Sequence, residues 1–174
     1  MRKWTIYLTA LILITYIGFK MFERDHRLAI APCGMGITKV LYAEERSWGI
    51  GFPGDSETGV IVLQLPDAVS ELIETHGTEY LKSTKCPFEL ARDWRGQYYR
   101  WQQTPIISDK EWHVDKVELS DYLDQYGFGI TIDQAIESEI NDAISSEGNF
   151  FSYGRIGIIV LVPKTKRAYY FYAG

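Results

Sequence analysis

Residues 156–172 read IGIIVLVPKTKRAYYFY, two apolar runs separated by the turn residues 163–167. A run of β-branched residues, a proline-led turn and a second run rich in aromatic rings form the pattern of a β-hairpin. The first run, 156–162, is expected as a central strand. Just before it, Tyr153 and Arg155 follow Gly148, Asn149, Phe150 and Phe151, a stretch expected as a turn that packs its aromatic rings.

Working toward the N-terminus, Asp133 is placed to cap a helix in which Ile136, Ile140, Ala143 and Ile144 make one stripe. Ser138 and Asp142 then lie opposite that stripe, with Glu137 and Glu139 on its flanks. A strand is expected at 128–132, and a short helix at 121–125, capped by Ser120 and ended by Gly127. Between 83 and 117 the pattern is mixed: 95–102 (RGQYYRWQ) suits a strand, 104–112 (TPIISDKEW) a turn, and Trp112 with Val114 another short strand.

Further upstream, Pro66 opens a helix to about Lys82, with Val69, Ile73, His76 and Tyr80 on its apolar face and Gly77 as a cap or kink. Residues 37–45 and 48–52 read as two early strands, 52–59 (FPGDSETG) as a turn, and 60–65 (VIVLQL) as a strand. The expected class is α+β, a mixed or antiparallel sheet covered by helices on one face. One domain spanning 28–174 follows an anchor segment at 1–27.

That anchor segment is the other decisive stretch. Residues 4–19, WTIYLTALILITYIGF, carry no charge, and if Lys20 snorkels the apolar stretch reaches Phe22. A helix of 19 residues is roughly 28 Å long at about 1.5 Å per residue, close to a bilayer's hydrocarbon thickness. Trp4, Tyr7 and Tyr16 sit toward its ends, where such rings favour the membrane interface. A cleaved signal peptide begins in the same way, but the residues that follow, 20–27 (KMFERDHR), are large or charged and offer no cleavage site. A single-pass anchor is therefore expected. The short basic head, Arg2 and Lys3, places the N-terminus inside, with the domain on the outer, periplasmic side of a bacterial inner membrane.

Charge separates the function classes. Residues 28–174 hold 21 acidic and 13 basic residues, and 109–147 alone carries eleven acids against Lys110 and Lys116. Such a field repels nucleic acid and attracts a basic protein. Against this background 92–101 (RDWRGQYYRW) stands out, because Trp, Tyr and Arg dominate protein-binding hot spots. The candidate partner-binding residues are Trp94, Arg95, Tyr98, Tyr99, Arg100 and Trp101, joined by Glu137 and Asp142 from the acidic segment. The bland alternative is a packed loop in which some of these rings complete the core.

Catalytic signatures are lacking in the sequence. No HExxH, paired CxxC or calcium-loop spacing occurs, so neither a metal nor a cofactor is expected. His76 reads as a core histidine. Cys33 and Cys86 are candidates for one disulfide in an oxidising compartment, or thiols in the cytosol. The expected function is a non-enzymatic, membrane-anchored protein-binding module, which by architecture suits an inhibitor or immunity protein recognising a basic partner. The competing readings are an envelope hydrolase using Cys86 or carboxylates such as Asp121 and Asp124, and a structural subunit of a membrane complex.

Overall fold

The computed structural model describes residues 2–48, 56–84, 86, 95–107, 112, 117–127 and 129–174. The C-terminal hairpin forms at its expected place: β5 (Ile158–Val162), a 3-10 turn at Pro163–Thr165, and β6 (Arg167–Ala173). Proline fixes the first turn residue, and Lys166 takes the left-handed conformation (φ 56°) that reverses the chain. With β1 (Val40–Trp48), β2 (Ser56–Gln64), β3 (Gln102–Gln103) and β4 (Phe150–Tyr153), these strands form one six-stranded sheet in the order β1-β2-β6-β5-β4-β3. Every neighbouring pair is antiparallel.

The helices do not keep to one face as the sequence reading expected. Strand neighbours point to opposite sides of a sheet, and here both sides are apolar. Val60, Val62, Val160, Tyr169 and Phe171 enter one core with α3 (Leu119–Leu123) and α4 (Gln134–Ser145). Ile61, Leu63, Ile159, Leu161 and Tyr170 enter a second core with α2 (Asp67–Ser83) and the segment after the N-terminal helix. The near-continuous apolar runs of β2, β5 and β6 are the mark of strands buried on both faces.

Local chemistry sets the helices. Asp133 caps α4 as expected, its carboxylate accepting from the amides of Ala135 and Ile136 at 2.8 and 3.3 Å. Ile140, Ala143 and Ile144 are buried. In α2, Gly77 breaks the helix (φ 53°), and a Cβ there would lie 3.4 Å from the ring of Phe150. The kink gives the core-facing place after Ile73 to the glycine, so His76 is exposed and is not the core histidine that its spacing suggested.

Other expectations shift. The turn at 52–59 is extended backbone from Ser56 onward, because Gly59 is the residue over which the Tyr172 ring lies, not a turn glycine: a Cβ there would sit 2.7 Å from that ring. Residues 150–153 form strand β4 instead of a turn, and the reversal falls at Gly154 to Gly157, closed by Gly154 N donating to Gly157 O at 3.0 Å. No strand forms at 129–132, where Ile130 and Ile132 instead cover the rim of the first core. The α3 helix starts at Leu119, one residue before its expected cap Ser120. Of the expected strand at 95–102 only Gln102 joins the sheet, paired with Phe151. Most of the second early strand (48–52), together with His113, Val114, Phe128 and Trp94, lies outside the described residues.

The N-terminal segment is α1 (Arg2–Leu28). It is long and apolar enough to cross a bilayer, a property that signal sequences share, and none of its apolar window is buried against the protein.

Candidate functional site

The residues that tie α1 to the sheet come from distant parts of the chain. At its polar end Arg24 donates to the carbonyl of Thr38 at 2.8 Å, and Arg27 meets Glu45 on β1 at 2.7 Å. The second carboxylate oxygen of Glu45 accepts from the hydroxyl of Tyr172 on β6 at 3.1 Å. Burial, and then the Glu45 charge, push the Tyr172 hydroxyl well above the ordinary tyrosine range, so it stays a donor. Nothing in the sequence links Arg27, Glu45 and Tyr172; the β1-β2-β6 pairing makes them neighbours.

After α1 the chain turns into the second core, where Ile30, Met35 and Ile37 are buried. Cys33 is joined to Cys86 by a disulfide with a Cα–Cα distance of 4.8 Å. Its amide donates to Gly96 O at 2.9 Å, and the Tyr98 hydroxyl donates to Ile30 O at 2.9 Å. Gly96 has φ 71°, and a Cβ on it would approach Ala31 O to 2.5 Å, so glycine is required for the 95–98 segment to lie against the linker. Burial and the neighbouring Tyr170 raise the Tyr98 hydroxyl far above its usual range.

The aromatic and basic segment therefore divides. Trp101 is 5% exposed and tilts against Tyr98 at 5.8 Å, both of them part of the second core. Arg95 is half-buried beside the linker, whereas Tyr99 and Arg100 face solvent. The last two line a cleft of about 380 Å³ with Gln97, Tyr153, Gly154 and Arg155. The two arginine and tyrosine segments singled out in the sequence meet here.

On the face of the first core, α4 carries the other candidates. Glu139 is held by Arg167, and by the Tyr169 hydroxyl at 3.1 Å, so its charge is matched within the protein. Asp142 is exposed, Glu137 half-buried, and Glu147 exposed beyond the helix. A cleft of about 490 Å³ runs beside them, lined also by Lys164, Arg167 and Asn149.

The thiol constellation of the hydrolase reading does not assemble. Cys86 is committed to the disulfide, which removes the proposed thiolate nucleophile. The Asp124 carboxylate accepts from the Gly129 amide at 3.0 Å, while Asp121 is exposed on α3. Among the described residues no group of three His, Cys, Asp or Glu side chains is arranged to hold a metal. Comparison of the chain with family models, characterised proteins and solved structures finds no match.

Proposed function

We propose that this protein is a single-pass, membrane-tethered, non-enzymatic binding module. In this reading α1 crosses the bilayer, and one α+β domain from about residue 28 to 174 presents an acidic surface to a basic protein partner. The observation that carries it is the placement of tether and acids: α1 and its linker attach on the face of the second core, while α3 and α4 cover the other face. The acidic helix thus points away from its tether. Retention of α1 is favoured by its polar end, since cleavage at the Ala29-Ile30-Ala31 pattern, downstream of both residues, would remove Arg24 and Arg27 from their partners Thr38 and Glu45.

The disulfide supports an exported domain, because such bonds persist in oxidising compartments. A bacterial inner membrane with the domain on its periplasmic side fits the basic head before the apolar run. The acidic surface fits a cationic protein and disfavours nucleic acid, and an inhibitor or immunity protein is the form of partner recognition that this architecture suits best.

The test has two arms. In intact cells, an impermeant thiol-reactive polymer should label Cys33 and Cys86 only after external reduction; labelling only by a permeant reagent, without reductant, would place the domain in the cytosol. A photo-crosslinker at Ser138 or Ser145 on α4 should then capture a basic protein, and Asp142→Lys combined with Glu137→Lys should abolish capture. Capture unchanged by that charge reversal would rule out the acidic face as the binding surface.

A further inference from the structure

The cleft of about 490 Å³ beside α4 lies within the proposed acidic surface, and its walls indicate which group of a basic protein it would receive. Glu139 in these walls is already matched by Arg167 and Tyr169. Asp142 and Glu147 are exposed there, and among the described residues neither carboxylate has an ion pair. The α4 helix also ends without a basic residue in its last turn. The carbonyls of Ala143, Ile144 and Ser146 accept from Asn149, Ile106 and Thr104, all neutral donors. The negative end of the helix therefore has hydrogen bonds but no counter-charge.

Asn149 gives a second, independent indication. It lines the cleft yet is only 7% exposed, and its Nδ2 donates to Ala143 O at 2.9 Å. That bond fixes Oδ1 as an acceptor, and among the described residues nothing donates to it. An acceptor sheltered to this degree is satisfied by a donor brought into the cleft. The loop that presents it is held in place on either side of Glu147: Thr104 Oγ1 donates to Ser146 O at 2.5 Å and accepts from Asn149 N at 3.2 Å. Ala143, Val162 and Tyr169, all buried, add apolar wall for an aliphatic stem.

We propose that this cleft receives an arginine side chain of the basic protein partner, its guanidinium donating to Asn149 Oδ1 and to the carboxylates of Asp142 and Glu147. The inference rests on the acidic-face reading and names the group which that face recognises. A guanidinium carries five donors in one plane, whereas an ammonium concentrates three on one atom, so the guanidinium suits acceptors that come from α4, from the loop after it and from Asn149. Lys164 also lines the cleft, exposed and without an ion pair among the described residues, and it opposes a cationic ligand.

The experiment titrates the isotope-labelled full-length protein in nanodiscs with N-acetyl-arginine amide, read by NMR, and in parallel with its citrulline counterpart, which has the same shape and no charge. The expected result is saturable shifts of the Asn149 side-chain amide and of the Glu147 and Thr165 backbone amides, with the arginine compound alone. Asp142→Asn and Glu147→Gln should each weaken binding by about fivefold, and Lys164→Gln should tighten it by about threefold. Unchanged signals from β5 in every variant separate loss of binding from loss of fold. An equal response to citrulline, or arginine shifts that spare Asn149, overturns the proposal. Glu137 lies outside the cleft, so capture from α4 that falls with Glu137→Lys but not with Glu147→Gln would keep the acidic face and overturn the cleft. Failure of the acidic-face reading looks different: no basic protein is captured from α4, while arginine still shifts the Asn149 amide and the arginine site stands.

Discussion

Removing the disulfide isolates how strongly the linker after α1 is fixed. Cys33 and Cys86 are 53 residues apart in sequence, and in the chain-entropy account a bridge closing a loop of that length restricts the unfolded chain by about 4 kcal/mol. In Cys33→Ala with Cys86→Ala the folded state keeps the hydrogen bonds Cys33 N to Gly96 O, now from alanine, and Tyr98 to Ile30 O, along with the buried Ile30 and Met35. The loss should therefore fall on the unfolded side. Domains of this size are stable by about 5–15 kcal/mol, so the double variant should still fold but with a large part of its margin gone. Urea unfolding of the full-length protein in detergent, followed by circular dichroism, should show the midpoint lowered by about 2 M for a slope near 2 kcal/mol per M. The oxidised protein treated with reductant should coincide with the double variant. A midpoint shift below about 0.5 M would refute the entropic reasoning, since loop closure then contributes little beyond contacts that survive without it.

Gly157 (φ 77°) and Gly148 (φ 90°) separate backbone conformation from crowding: a Cβ on Gly157 would lie 2.6 Å from Phe171 O, while Gly148 has open space. Alanine at 148 should cost about 1–2 kcal/mol and alanine at 157 clearly more, with equal losses in thermal melts counting against the close approach of Phe171 O. Asp133→Ala should cost about 1 kcal/mol through loss of the α4 cap, and Asp133→Asn should recover most of it. Burial raises the hydroxyls of Tyr98, Tyr170 and Tyr172 above the ordinary tyrosine value. Because the folded state holds these protons more tightly, stability is fully present below about pH 10 and is lost above it, by up to about 4 kcal/mol per pH unit while all three ionise only on unfolding. Melting at pH 8 to 12, with tyrosinate absorbance recorded alongside, checks this; a tyrosinate signal rising near pH 10 from the folded protein for all twelve tyrosines would contradict it.

Periodicity and turn chemistry are properties of neighbouring residues, and what depended on them could be read directly. The α1 run, the Asp133-capped α4 stripe, the helix after Pro66 and the C-terminal hairpin were legible because each is decided within one or two turns of chain. The α+β class followed from their order. Gly59 and Gly77 show where such reading stops: each looks like punctuation, yet each is placed by a ring from elsewhere, Tyr172 and Phe150. Likewise Phe150 and Phe151 were read as turn residues because the pairing of β4 with both β5 and β3 is invisible locally.

Hydropathy and charge add up along a chain, so an uncharged apolar run ahead of an acidic α+β chain was already written in the residues. The assembled sheet settled what they left open: both of its faces are covered, Cys33 and Cys86 are joined, and Trp101 is core while Tyr99 and Arg100 are surface. It also brought Arg100 beside Arg155 from segments 55 residues apart. Those outcomes depend on strand order and on which side of a strand each residue faces, and a shift of one residue in register reverses the second.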